Sequence, residues 1–179
     1  GLAGWAAQFT PNVALEFHDA LVLEVSGSLR LFRGLPAILR QLRTGLEALG
    51  YTAALAAAPT PRAASWLARA GGGRFVEAPQ ALREALAALP VQIAVREPDT
   101  LEALRAIGAG TLGDVLALPR DGLARRFGPL LLDDLDRALG HAPDPRSGFV
   151  PPARFYARLE LPAEVTQTEA LLFAARRLL

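Results

Sequence analysis

Several residue types are missing or nearly missing from this 179-residue chain, and each absence excludes something. There is no cysteine, so disulfides and thiolate metal sites are out, which suits a reducing compartment such as the cytoplasm. There is no methionine, and the chain opens on Gly1, so it reads as a fragment or a processed product. There is no lysine: all 19 basic residues are arginine, which fits codon bias in a GC-rich genome given the wealth of alanine, glycine and proline. Only His18 and His141 are histidines, and they lie far apart in sequence. A histidine zinc site or a Ser-His-Asp triad has little to work with. No apolar run approaches the ~20 residues that span a bilayer. No charged-then-apolar leader is present either. Neither a membrane partner nor a cofactor is expected.

Net charge is only +1, so no global basic field advertises nucleic acid. Residues 1–90 carry +2, residues 91–142 carry −2 and residues 143–179 carry +1.

Hydropathy patterning predicts an α+β chain. Two extended runs are expected at Val13–Phe17 and Ala20–Val25, too close together to hold a helix between them. A helix follows over 35–50, with Ile38, Leu39, Leu42, Leu46 and Leu49 on one stripe and Gly50 as its stop. A buried strand is expected at 51–58 and a helix at 60–73 with Thr60 as N-cap and Pro61 in the first turn. A short strand at 74–78 and a helix at 79–90 complete the pattern. That order describes a mostly antiparallel sheet covered by helices. Residues 98–140 read as four short helices broken at Gly108–Gly110, Pro119 and Gly128–Pro129. A proline-rich linker is expected over 141–153, then a strand at 154–162 and a helix at 166–179.

The stretch "RAIGAGTLGD" holds Gly108, Gly110 and Gly113 in the spacing G-x-G-x-x-G. A dinucleotide site would need a strand before it, but Leu101, Leu104 and Ile107 behind Asp99 mark a capped helix. Helix, G-A-G turn, helix is instead the layout of a helix-hairpin-helix element, whose turn amides point at a phosphate. A plain turn between packed helices is the other reading.

Several stretches taken together carry a resemblance: "WAAQFTPNVALE", "DALVLEVSGSLRLFRG", "YTAALAAAPTPRAASWLARAG", "GTLGDVLALPRDGLARRFG" and "ARLELPAEV". In this order, over nearly the whole chain, they resemble the Y-family translesion DNA polymerases, and within them the ImuB-type, non-catalytic branch. The resemblance implies the C-terminal part of a palm-like domain at 1–92 and a helical thumb-like domain with the helix-hairpin-helix at 93–142. Residues 143–179 would be a linker and the incomplete start of a little-finger domain.

The departures bear on function. Active members hold two metal ions on clustered carboxylates. Asp19 falls on the family's palm aspartate, but Ala20 falls on its glutamate. Thr60 and Pro61 stand where active members carry an Asn-Lys pair, and Arg62 is one position off. Asp19 is therefore a vestigial candidate, and no catalytic or metal-ligating residue is expected. Glu16 and Glu24 read as solvated strand positions. DNA-binding candidates are Arg105, Gly108, Ala109, Gly110, Thr111, Gly113, Arg125 and Arg126, with Gly110 expected at positive φ.

By resemblance the chain is a scaffold in SOS mutagenesis that binds primer-template DNA weakly and without sequence preference. Its implied partners are the sliding clamp, a RecA-like accessory protein and an error-prone replicative-type polymerase. An active translesion polymerase fragment, or a helix-hairpin-helix module on an unrelated α+β domain, are the alternatives. Residues 167–173, "QTEALLF", approximate a clamp-binding peptide, but Ala170 is smaller than such peptides carry. Leu171, Leu172, Phe173 and Leu178 read there as a helix face.

Overall fold

A computed structural model describes residues 1–16 and 19–150. The linker's end, the strand expected at 154–162, the helix expected at 166–179 and its QTEALLF stretch lie outside the described residues, as do Phe17 and His18. Among the described residues the chain is α+β. It opens with α1 (Leu2–Ala6), β1 (Val13–Glu16) and β2 (Ala20–Leu23). Helices α2 (Leu29–Phe32), α3 (Leu35–Ala48), α4 (Pro61–Arg69) and α5 (Leu82–Ala87) follow. Then come α6 (Pro98–Ala106), α7 (Leu112–Ala117), α8 (Arg120–Phe127) and α9 (Pro129–Leu139).

The two extended runs form an antiparallel hairpin with Val13 opposite Leu23 and Glu16 opposite Ala20. On its other edge β1 meets the 148–149 segment: Ala14 bridges Gly148, and the Phe149 amide donates to the Val13 carbonyl. The larger sheet expected from the sequence does not form among the described residues. Residues 51–58 and 74–78 share a single parallel bridge, Ala57 to Phe75. Alanine gives a strand little cross-strand surface, so a run of alanines without a neighbouring ladder stays irregular. Much of 51–54 is exposed rather than buried.

The four helical pieces of 98–140 start and stop at the expected breakers. The cap of α6 differs: Glu97 is its N-cap, without a side-chain bond, and Asp99 sits in the first turn. The Thr60 hydroxyl caps α4 by accepting from the Ala63 amide. The same hydroxyl donates to the Ala138 carbonyl at 2.8 Å, tying the start of α4 to the end of α9 across 78 positions of sequence.

Helices α4 to α9 share one apolar core. Trp66 and Leu67 of α4, Leu82 and Leu86 of α5, Leu104, Leu112 and Val115 around the glycine loop, and Leu135 of α9 are among its members. A second, smaller cluster joins Ala3, Ala6 and Val13, with Trp5, Leu21, Leu23 and Phe149 against it. Strand β1 inverts the usual order of burial: Leu15 is exposed while Glu16 is buried. No helix among the described residues is long and apolar enough to cross a membrane.

Candidate nucleic-acid interface

The glycine loop lies between α6 and α7. Gly108 adopts φ 81°, in the left-handed region, so its amide and that of Ala109 fold back onto the Arg105 and Leu104 carbonyls at 2.9 Å each. Gly110 is not among the positive-φ residues, so the expectation for it passes to Gly108. The Gly110 carbonyl accepts from the Val91 amide, and the Leu112 amide donates to the Leu89 carbonyl. These bonds pin the loop to the segment after α5. Gly113 serves packing: a Cβ there would come within 2.9 Å of the Ala87 carbonyl oxygen.

Thr111 and Asp114 form a capping box at the start of α7. Oδ2 of Asp114 accepts from the Thr111 amide at 2.8 Å, the Thr111 hydroxyl at 2.8 Å and the Gly110 amide at 3.1 Å. The Thr111 hydroxyl and amide hold the Asp114 carboxyl below the usual carboxylate range. The amides of the loop therefore already have acceptors within the chain. At Gly110 and Thr111 the acceptor is an anion, the Asp114 carboxylate.

Arg105 is exposed near the end of α6, and Arg125 and Arg126 are exposed in the last turn of α8. Arg125 Nε donates to the Asp121 carbonyl at 3.2 Å, and the Arg126 guanidinium lies 5.6 Å from the Phe127 ring centre. Among the described residues no hydrogen bond or ion pair joins Arg105 to either of them.

The hairpin carboxylates have a different surrounding. Asp19 is 72% exposed, and its Oδ1 lies 3.8 Å from Nη2 of Arg69. Glu16, expected at a solvated position, is buried, with Oε1 3.2 Å from Arg146 and 3.9 Å from Arg69. Arg146 also reaches Asp144 at 2.7 Å, Arg62 joins Asp144 to Asp134, and Arg137 reaches Asp134 at 3.6 Å. A chain of alternating charges thus runs from β1 through α4 to α9. Sequence reasoning missed it because its members lie far apart in sequence and follow no period. The one available signal was an acidic residue on an otherwise apolar strand. Glu24 is exposed as expected. Its Oε1 accepts from the Ser26 amide at 2.8 Å, and its contacts with Ser26 hold its carboxyl low. Ala20, beside Asp19, opens β2, and among the described residues no three acidic or histidine side chains gather as metal ligands.

The fold and these residues define an α+β chain: a hairpin whose carboxylates face arginine, followed by helices built around a capped glycine loop. Its relatives say which one. Protein ImuB from two strains of Caulobacter vibrioides, NA1000/CB15N and CB 15, is 37% identical to this chain over 171 residues. The alignment covers 95% of the chain, and the ImuB-type assignment read from the sequence is borne out. The chain spans 37% of the length of these relatives. No family model matches it, and no solved structure matches it.

Proposed function

We propose that this chain is part of a polymerase-like scaffold that acts in DNA-damage-induced mutagenesis without itself adding nucleotides. The observation that carries the reading is the 37% identity to the ImuB relatives along 95% of the chain. Ala20 in place of the palm glutamate supports it, as does Arg69, a fixed cation beside both Asp19 and Glu16. In this reading residues 1–92 are the end of a palm-like domain and 93–142 a thumb-like one. Residues 143–179 lead into a little-finger domain. The sliding clamp, a RecA-like accessory protein and an error-prone replicative-type polymerase are its proposed partners, and the cytoplasm its proposed location.

Primer-template DNA is assigned to the surface of Arg105, Gly108, Gly110, Thr111, Arg125 and Arg126, with Ala109, which is buried in the core, and Gly113 only supporting the loop. The arginines carry most of that contact, because a phosphate at the loop has to displace Asp114. Few cations and a resident carboxylate make binding weak, with a shallow salt slope. Primer extension by the full-length protein is the decisive assay. No metal-dependent, template-directed product is expected, and a product that vanishes on Asp19→Ala overturns the scaffold reading. For the interface, salt-titrated anisotropy with duplex DNA should show tighter binding for Asp114→Asn and weaker binding for Arg105→Glu. If neither changes, the assignment to this loop is wrong.

A further inference from the structure

Helices α2 and α3 form a part of the chain that the DNA reading does not use. Between Glu24 and Glu47 there is no acidic residue, yet Arg30, Arg33, Arg40 and Arg43 all lie in that stretch. All four are exposed, and among the described residues none has an ion pair or a hydrogen bond from its side chain. Elsewhere Arg62, Arg69, Arg120, Arg137 and Arg146 each have a carboxylate within 4 Å, and Arg74, Arg83 and Arg125 donate to backbone carbonyls. Unpaired guanidiniums gathered in an acid-free stretch create a local positive field that the near-zero net charge conceals.

A shallow recess of mixed aromatic and polar lining adjoins them. Trp5 stacks edge-to-face on Phe9 at 5.4 Å, and Phe9 lies 5.5 Å from Phe32. Trp5 can lie against α3 because position 45 is glycine; a Cβ there would overlap its ring. Gly in a helix interior is less favourable than Ala, so this contact is made at the expense of helix stability. The result is an open cleft of about 500 Å³ lined by Trp5, Gln8, Phe9, Arg40, Gln41 and Thr44. Arg43, three residues on, borders a neighbouring depression with the exposed Tyr51 and with Glu47, the first acidic residue after the stretch.

We propose that this α2–α3 surface docks an acidic peptide segment of a partner protein. An aromatic or aliphatic side chain of that segment fills the Trp5 cleft, and its carboxylates pair with Arg40 and Arg43. Charge complementarity selects an anion, and arginine's planar fork matches carboxylates in pairs. The cleft selects peptide over nucleic acid. A duplex backbone brings phosphates but no apolar protrusion. A stacked base would need an open aromatic face, whereas Phe9 is buried and Trp5 lies on the helix. Trp and Arg are also the residue types that most often dominate binding energy at protein interfaces.

The test uses the full chain and a short fluorescein-labelled peptide of glutamates with one central phenylalanine. A sister peptide carries serine in its place, and unlabelled duplex DNA serves as competitor. The phenylalanine peptide should bind, change the tryptophan emission in a Trp66→Phe background where Trp5 alone reports, and bind about tenfold more tightly than its sister. Arg40→Glu with Arg43→Glu should weaken it by about tenfold or more, an effect that shrinks at high salt. Both arginines are exposed, so a circular dichroism spectrum unchanged by the substitutions separates lost docking from lost fold. No binding, equal binding of the two peptides, or indifference to the double substitution overturns the proposal. So does displacement by duplex DNA whose own binding is lost in the double variant, which would make this a nucleic-acid surface. Self-association of the chain abolished by the same variant overturns it too, in favour of a contact between copies.

Discussion

The hairpin end of the chain and its helical end are held together by different physics. From α4 to α9 the helices enclose an apolar core whose central leucines are almost wholly buried, and the polar links around it are caps, turns and part-exposed ion pairs such as Arg62–Asp134 and Arg120–Asp136. Around β1 and β2 the apolar cluster is small, and buried charge stands beside it: Glu16 with Arg146 and Arg69. Apolar burial stabilises without regard to direction, whereas a buried charge is tolerated only while its partners stay in place. The first kind of region forgives small shifts. The second ties one arrangement of β1, α4, α9 and the 144–146 segment to the integrity of every member.

The sharpest way to break this comparison is in the helical core. Leu112→Ala empties a fully buried site and should lower stability by about 2–5 kcal/mol, while Leu15→Ala on the exposed side of β1 should change it by less than about 0.5 kcal/mol. Urea unfolding measures both. Similar losses at the two sites would mean that β1 is covered in a way these contacts do not describe.

Next in size is the charge chain. Glu16→Gln keeps the shape and removes the charge that faces Arg146 and Arg69. The loss should be about 2–3 kcal/mol, since breaking a buried pair strands its partners. A loss under about 0.5 kcal/mol would place Glu16 with ordinary surface ion pairs, which are worth that little.

Thr60 ties α4 to α9 within the helical region, and Thr60→Val removes both the cap on α4 and the bond to Ala138. An expected cost of about 1–2 kcal/mol follows, and Thr60→Ser should restore most of it. Failure of serine to rescue would mean that the methyl group, not the hydroxyl, matters.

The smallest effect is on acid stability, where the carboxylates differ in sign. Contacts with Arg120 hold Asp136 low, and contacts with Ser26 hold Glu24 low. A carboxyl with a depressed folded pKa contributes fully above its unfolded value, near pH 4, and loses that contribution as pH falls through the folded value. Burial raises Asp134, so its protonation favours the folded state over the same fall. Unfolding midpoints compared at about pH 6 and pH 3 should therefore drop less in Asp136→Asn and more in Asp134→Asn than in the parent chain. The reverse order would assign the acid sensitivity to other groups.

Local chemistry was readable wherever it acts over one helical turn. Thr60 with Pro61 announced α4, and Pro98, Gly108, Pro119 and the Gly128–Pro129 pair marked the bounds of α6 to α9. The Val13 and Ala20 runs gave the hairpin. The glycine loop was found, but not its inner acceptor. The Thr111–Asp114 spacing is a capping-box signal, and its anion is the one that the loop amides hold.

By itself, then, the sequence determined the element order of the helical half, the hairpin and the ImuB-type kinship, because periodicity, caps and breakers act between near neighbours and relatives share the order of residues. Tertiary structure decided what no local rule contains. It left the alanine-rich 51–58 segment without a sheet, since a strand needs partners. It buried Glu16 and exposed Leu15, since only distant arginines make a buried carboxylate tolerable. And it left the arginines of α2 and α3 unpaired while those of α4 and α9 found acids, since the partners of a charge are chosen by packing, not by position in the chain.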